Sequence, residues 1–404
     1  MSFRQTNRIK EPPVLLYSAI RFLVTIFAKL ALKLKVISID PIPARGPLIL
    51  VCSHGGYLDF LCVAAAVHER RLHFLSADYY FQHKTLGRLL RTLGAIPKQQ
   101  FYPDVNSIAS MMEVLRRGSA VVIFPAGQTS LDGTTLPIDP SIARLVRRAG
   151  APVAALRIHG SFLTLSRFSH GAMNKGRIEI EKRMALTAEQ ISVYTEQQIY
   201  DALCGAIAFD DYAWQRSSGV LFKGNKRAQG YENILVRCPK CAARYSYHAE
   251  GNRIWCGSCG NSADVGADMR FIPLEGSNVP ADLQEWIRTQ KAQFIQDADK
   301  KDFLLASEVR VKSYGLSNSP YIGEGSLRMD RQGIHFKGVL DGKDAEFFVD
   351  HQILPGLTGE FGEYLCIPQA DHGPLAFYLA QGKAVIEWKF AQEHLHSKIV
   401  TSQH

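Results

Sequence analysis

Nothing in these 404 residues offers the roughly 18 uncharged apolar positions that a membrane-spanning helix needs; the apolar tract Val14 to Val36 is broken by Arg21, Lys29, Lys33 and Lys35. A true span is therefore not expected. No small-residue cleavage site precedes Asp40-Pro41, so removal of a secretory leader is not expected either. Low-complexity tracts and repeats of fixed period are missing, which argues against arrays. Cysteine is sparse. Of eight, Cys52, Cys62, Cys204 and Cys366 are scattered in apolar surroundings like buried thiols in a reducing compartment, and four form two C-x-x-C pairs.

What is there is a folding composition, with 46% hydrophobic and 21% charged residues and enough length for two or three domains. Charge is uneven: residues 1–230 carry 29 Lys and Arg against 16 Asp and Glu, whereas residues 231–404 carry 18 against 22. The resulting +13 and −4 place a positive field on the N-terminal part, suited to lipid headgroups, a nucleotide-bearing thiol carrier or an acidic carrier protein, and nucleic acid would fit the charge equally well. Ser18, Arg21, Thr25, Lys29 and Lys33 recur at three- and four-residue steps, forming a narrow polar stripe on a helix otherwise made of Leu, Ile, Phe and Val. Such a helix suits the plane of an anionic membrane surface, the alternative being packing on its own domain.

From Pro47, short apolar runs alternate with helical patterns. Leu48–Cys52, Leu72–Leu75, Ala120–Phe124, Val153–Ile158 and 178–180 read as strands; Leu58–His68, Ser107–Arg117, Ser141–Arg148 and Ala188–Ala208 read as helices. The fold class is α/β, a central mixed sheet flanked by helices, in which ligands sit beyond strand ends. Two strand ends carry chemistry: one runs into His54-Gly-Gly-Tyr-Leu-Asp59, the other into Pro125-Ala-Gly-Gln-Thr-Ser130. A carboxylate on one nitrogen of His54 would fix its tautomer and leave the other nitrogen as general base towards an alcohol. Gly55 and Gly56 would let backbone approach a substrate, and amides there or near Gly127 are candidate oxyanion donors. Ser53 reads as a structural loop serine rather than a nucleophile.

In order and spacing, His54 to Asp59, Leu93-Gly-Ala-Ile-Pro-Lys98, Phe124-Pro-Ala-Gly127 and Ala151-Pro-Val-Ala-Ala155 resemble the four blocks of the glycerolipid acyltransferase family, over roughly residues 40–210. The resemblance implies His54 and Asp59 as catalytic residues, and Gly94, Lys98, Phe124, Pro125, Gly127 and Thr129 as substrate-binding candidates, to which Arg157 is added on its charge. It implies an acyl-CoA or acyl-carrier-protein donor, a lysolipid acceptor, no catalytic metal, and a peripheral or monotopic place on the cytoplasmic face of a membrane. This chain departs from the pattern at Ala126, where Glu is usual, and at Thr129 and Gln100, where Arg is usual. Two phosphate anchors are thereby missing, so either Lys98, Arg88, Arg91 or Arg157 replaces them as a substrate-binding cation, or the acceptor is a lysolipid recognised differently.

Cys238, Cys241, Cys256 and Cys259, with fourteen residues between the pairs, have the spacing of a zinc ribbon. Four thiolates leave no open position, so the expected zinc is structural. Lys240, Arg244, Arg253, Tyr245, Tyr247 and Trp255 would serve a nucleic-acid surface only weakly, and nucleic acid is not an expected partner. Beyond a helical pattern at Asp282–Asp297, short strands with turns and a closing helix over 384–398 look like a pleckstrin-homology-type β-rich domain. The expected segments are 1–38 (interfacial helix), 39–230 (acyltransferase), 231–265 (zinc ribbon), 266–300 (linker and helix) and 301–404 (β-rich). His394 and His396 read as surface residues. The competing function is a catalytically inactive scaffold acting through the zinc ribbon and C-terminal domain; thioester hydrolysis is a third.

Overall fold

The computed structural model describes residues 9–101, 104–315, 319–369 and 372–402, so residues 1–8 of the expected interfacial segment lie outside it. The chain forms two compact units, Met1–Arg167 with Met173–Lys223, and Phe168–Ala172 with Gly224–His404. The boundary falls near 223 rather than 230, and the three C-terminal segments distinguished by sequence make one unit.

The first unit runs α1 (Val14–Leu30), β1 (Lys35–Ser38), β2 (Leu48–Cys52), α2 (Asp59–Ala66), β3 (Leu72–Ala77), α3 (Lys84–Thr92), β4 (Ile96–Lys98), α4 (Val105–Arg116), β5 (Ala120–Ile123), α5 (Ser141–Ala149), β6 (Val153–His159), α6 (Ser161–Thr164), β7 (Glu179–Leu186), α7 (Ala188–Val193), α8 (Glu196–Ile207) and α9 (Asp211–Ser218). Its seven strands lie in the order β1-β7-β6-β2-β5-β3-β4. β6, β2, β5, β3 and β4 are mutually parallel; β7 pairs antiparallel with β6 and carries β1 parallel to itself, which makes the sheet mixed. Every residue of β2 and β5 is buried, as expected of strands covered on both faces. Ile49, Val51, Val121 and Val153 pack with α4, α5 and α8 on one face, while Leu48, Leu50, Val122 and Leu156 pack with α2 and the end of α1 on the other. Each such side chain contributes about 1.5–3 kcal/mol of burial.

The single helix expected over 188–208 is two. Thr187 and Thr195 each accept the N–H three residues on while Gln190 and Gln198 return the bond, so two capping boxes start two helices. α1 also differs from expectation in which side faces inward. Tyr17 and Ala28 are buried and Arg21 donates to the His68 carbonyl, so part of the polar stripe faces the domain. Leu15, Phe22, Leu23 and Leu30 are left between 65% and 86% exposed. No helix among the described residues is long and apolar enough to cross a membrane.

The second unit contains β8 (Tyr247–Glu250), β9 (Arg253–Cys256), β10 (Ser262–Val265) and β11 (Phe271–Pro273) as an antiparallel sheet, then α10 (Leu283–Ala298). There follow β12 (Leu305–Ser313), β13 (Gly323–Met329), β14 (Gly333–Leu340), β15 (Lys343–Asp350), β16 (Thr358–Glu360), β17 (Tyr364–Gln369), β18 (Gly373–Leu379) and α11 (Val385–Ser402). The seven strands are antiparallel in the order β15-β14-β13-β12-β18-β17-β16. His394 and His396 are not free on the surface: His394 pairs with Asp299 at 3.0 Å, and His396 Nδ1 donates to the His351 carbonyl at 2.8 Å.

Candidate active site

Because β2 to β6 run parallel, the segments after their C-terminal ends lie along one edge of the sheet: His54 after β2, Asp78 after β3, Lys98 closing β4, Phe124 after β5 and His159 closing β6. His54 Nδ1 lies 2.8 Å from Asp59 Oδ2, and the Gly56 N–H donates to the same oxygen at 3.0 Å. Asp59 is fully buried in the first turn of α2, where the helix dipole favours a carboxylate. Its Oδ1 has no hydrogen-bond partner. The imidazole is one-fifth exposed and rests on the Phe124 ring, with centroids 4.4 Å apart; the Ser130 N–H holds the His54 carbonyl at 2.9 Å. A carboxylate on Nδ1 keeps the proton there and leaves Nε2 to accept one.

The glycines do something other than sequence reasoning assigned. A Cβ on Gly55 would fall 2.6 Å from Ser161 Oγ, and one on Gly56 would fall 2.5 Å from the Ser161 carbonyl. Close packing on the turn after β6, rather than approach to a substrate, requires glycine here. The Gly127 N–H is taken by the Phe124 carbonyl at 3.0 Å and the Gly56 N–H by Asp59, so these two amides are not uncommitted oxyanion donors. Ser53 Oγ accepts the Ile158 N–H at 2.8 Å and is buried, a cross-strand clasp.

The remaining candidates fall into two sets. Phe124, Pro125, Gly127 and Thr129 stand in the loop beside His54; Thr129 is buried, with an Oγ1 that has no hydrogen-bond partner. Lys98 keeps an exposed ammonium that donates, among the described residues, only to the adjacent Gln99 carbonyl at 3.4 Å and lies near enough to Asp78 to act on its charge. The others are engaged structurally. Gly94 has φ +70° and its carbonyl accepts from buried His73 at 2.7 Å; a Cβ would strike Lys10 and His73. Arg157 pairs with Glu181 at 3.4 Å and with the Gly205 carbonyl at 2.8 Å, a strand–helix tie rather than a free phosphate anchor. Arg91 donates to the Phe81 carbonyl at 2.9 Å, while Arg88 is exposed on α3.

Sequence reasoning missed Asp211. It is fully buried, its oxygens accept the N–H groups of Gly160 at 2.8 Å and Phe162 at 3.0 Å, and burial, with Asp59 close by, pushes its carboxyl up to about 8 against those bonds. No local pattern marks it, since its partners lie some fifty positions earlier.

In the second unit the four Sγ atoms of Cys238, Cys241, Cys256 and Cys259 all lie within 4.8 Å of one another, with Cys238–Cys259 and Cys241–Cys256 at 3.8 Å. Tetrahedral zinc with bonds of about 2.3 Å sets sulfurs about 3.8 Å apart, whereas a disulfide requires about 2.05 Å, so the donor set fits a metal ion. Asn261 Nδ2 donates towards Cys238 Sγ at 3.7 Å. Arg244 and Tyr245, which by sequence could have joined a stacking surface, instead bind buried Glu387 on α11, and Lys383 Nζ donates to the Tyr247 carbonyl at 2.6 Å.

Residues 33–159, which hold the His54–Asp59 pair, match the family model described as Acyltransferase; the chain carries an acyltransferase domain and its class is that of an acyltransferase. Among curated proteins, it is similar to a 1-acyl-sn-glycerol-3-phosphate acyltransferase of Bacillus subtilis, 26% identical over 140 residues, covering 34% of this chain and 69% of that protein. Chloroplastic proteins of the same name from Brassica napus (24% identical) and Arabidopsis thaliana (22%) match over 33% and 43% of this chain, which spans only 39% and 51% of their lengths. A solved structure of the 1-acyl-sn-glycerophosphate acyltransferase PlsC from Thermotoga maritima aligns with TM-score 0.40 at 17% identity, over 47% of this chain and 78% of its own.

Proposed function

We propose that the first unit transfers a fatty acyl group from acyl-CoA or acyl-carrier protein to a hydroxyl of lysophosphatidate or a related lysolipid, in phospholipid biosynthesis. The observation that carries the reading is the 2.8 Å contact between His54 and buried Asp59 at the strand-end edge, within the residues that match the family. His54 Nε2 takes the acceptor's proton as its oxygen attacks the thioester carbonyl. The tetrahedral adduct collapses by breaking the C–S bond, and the departing thiolate receives the proton back from the imidazolium, which Asp59 stabilises meanwhile. No acyl-enzyme intermediate is needed.

Lys98 is the cation we assign to the acceptor's phosphate, because its exposed ammonium stands at the end of β4 on the strand-end edge, whereas Arg88 is exposed on α3 and Arg157 and Arg91 are engaged elsewhere. The protein is assigned a peripheral or monotopic place on the cytoplasmic face of an anionic membrane; the exposed Leu15, Phe22, Leu23 and Leu30 support the interfacial position of α1. Zinc on the four cysteines would be structural, since no coordination position stays open. The inactive-scaffold reading draws on Ala126 and Thr129, which replace charged residues of the family pattern. The test is incubation of purified protein with labelled acyl-CoA and lysophosphatidate. Labelled phosphatidate supports the proposal; no transfer to any lysolipid, glycerol phosphate or amine favours the scaffold, and acceptor-independent release of free acid favours hydrolysis.

A further inference from the structure

We propose that Asp211 is a positioning residue for His54, acting through the turn of residues 160–165; this deepens the reading of His54 as the base and rests on it. Asp211 is fully buried where α9 begins, and its own N–H donates to the Gly133 carbonyl at 2.8 Å. Its Oδ1 takes the Gly160 N–H and its Oδ2 the Phe162 N–H, and the Leu163 N–H reaches the carboxyl as well, which fixes the first turn of α6. Gly160 is at φ +76°, and a Cβ there would fall 2.5 Å from the Arg177 carbonyl, so the turn has no room to move towards β7. Thr164 Oγ1 closes it further by donating to the Gly160 carbonyl at 2.7 Å.

The opposite side of this turn is the floor of the His54 loop. Gly55 lies against Ser161 Oγ, Gly56 against the Ser161 and Leu165 carbonyls, and the Tyr57 N–H donates to the Leu165 carbonyl at 3.3 Å. Gly56 in turn donates to the Asp59 oxygen that holds His54. The connection runs from Asp211 to the turn, from the turn to Gly55-Gly56, and from there to the imidazole, each link a direct contact. A turn displaced by a few tenths of an ångström displaces the loop, because Gly56 meets the Ser161 and Leu165 carbonyls directly, with no side chain at that contact to absorb the shift.

The test combines Asp211→Asn with a pair at the floor contact. Assayed above pH 8, where the wild-type carboxyl is ionised and accepts at both oxygens, the amide instead presents an NH2 to a backbone N–H, so kcat should fall at least about tenfold while the KM for acyl donor stays within about twofold. Gly55→Ala should do the same by striking Ser161 Oγ, and Gly55→Ala/Ser161→Ala, which removes the struck atom, should recover most of the loss. The His54 Nδ1–H resonance in the downfield proton NMR spectrum supplies a readout independent of turnover: it should weaken in D211N and G55A and return in the double variant. If D211N does not fold, the glycine pair decides. A double variant no better than G55A, or folded D211N with wild-type kcat and resonance, overturns the inference. Should the wild-type protein transfer no acyl group at all, the proposed function fails while the resonance arm still decides this inference.

Discussion

Asp59→Asn changes one atom of a fully buried carboxyl, and the surrounding geometry makes both orientations of the new amide costly. With its oxygen in the place of Oδ2, the amide can still accept from His54 and Gly56, but its NH2 then occupies the Oδ1 position, which has no partner. Such an unsatisfied group costs about 1–3 kcal/mol of stability. More important for turnover, the negative charge that meets the imidazolium is gone. Charge centres about 4 Å apart at an effective dielectric near 20 interact by about 4 kcal/mol, which corresponds to about three decades in rate. With the amide reversed, its NH2 faces Nδ1, the proton moves to Nε2 and the base is lost outright. Either way kcat should fall by about 10³–10⁴, the size associated with losing the carboxylate of a His–Asp pair. The assay is steady-state formation of phosphatidate with acceptor and donor varied separately, on protein whose circular dichroism and zinc content match wild type. A kcat within tenfold of wild type would refute the roles assigned to both residues.

Cys256→Ser should lower zinc content and destabilise the second unit by about 3–5 kcal/mol, roughly a 10 °C fall in its melting transition by calorimetry; a variant that keeps its transition but loses zinc would contradict the metal's structural role. Leu15→Glu with Leu23→Glu should reduce recovery on anionic vesicles in a flotation assay without altering kcat on dispersed short-chain substrate, and unchanged flotation would remove α1 from the membrane account. Asp211 makes a signed pH prediction. Its folded carboxyl titrates near 8 and an unfolded one near 3.8, so the stability from its proton is complete below about 4 and is lost as pH rises towards 8. Melting temperatures of the wild type should therefore decline across that window more steeply than those of D211N; parallel curves would count against this assignment.

The strands of the first unit were legible because β2 and β5 are continuous apolar runs, and their order alone put the His54 and Phe124 loops at strand ends. β1 and β4 were not legible, since Lys35–Ser38 and Ile96–Lys98 are short, partly charged segments that become strands by pairing with β7 and β3. The break at Thr195 did carry a local signal, the repeated Thr-x-x-Gln capping pattern, overridden by the apolar period running through it. Gly55 and Gly56 were visible as glycines, but their reason lies in the turn at Ser161, a hundred residues away. Asp211 was hidden for the same cause. Its partners are backbone amides, which have no residue signature. Arg157 and Arg91 looked like free cations because periodicity places a side chain on a face without saying what waits there; Glu181 and the carbonyls of Gly205 and Phe81 do.

The most direct measurement is acyl transfer by wild-type and His54→Ala protein, compared side by side over a panel of lysolipid acceptors. The account predicts acceptor-dependent product from the wild type and none above the uncatalysed rate from a folded H54A protein. Equal activity in the two, or a wild type inert towards every acceptor, would contradict it.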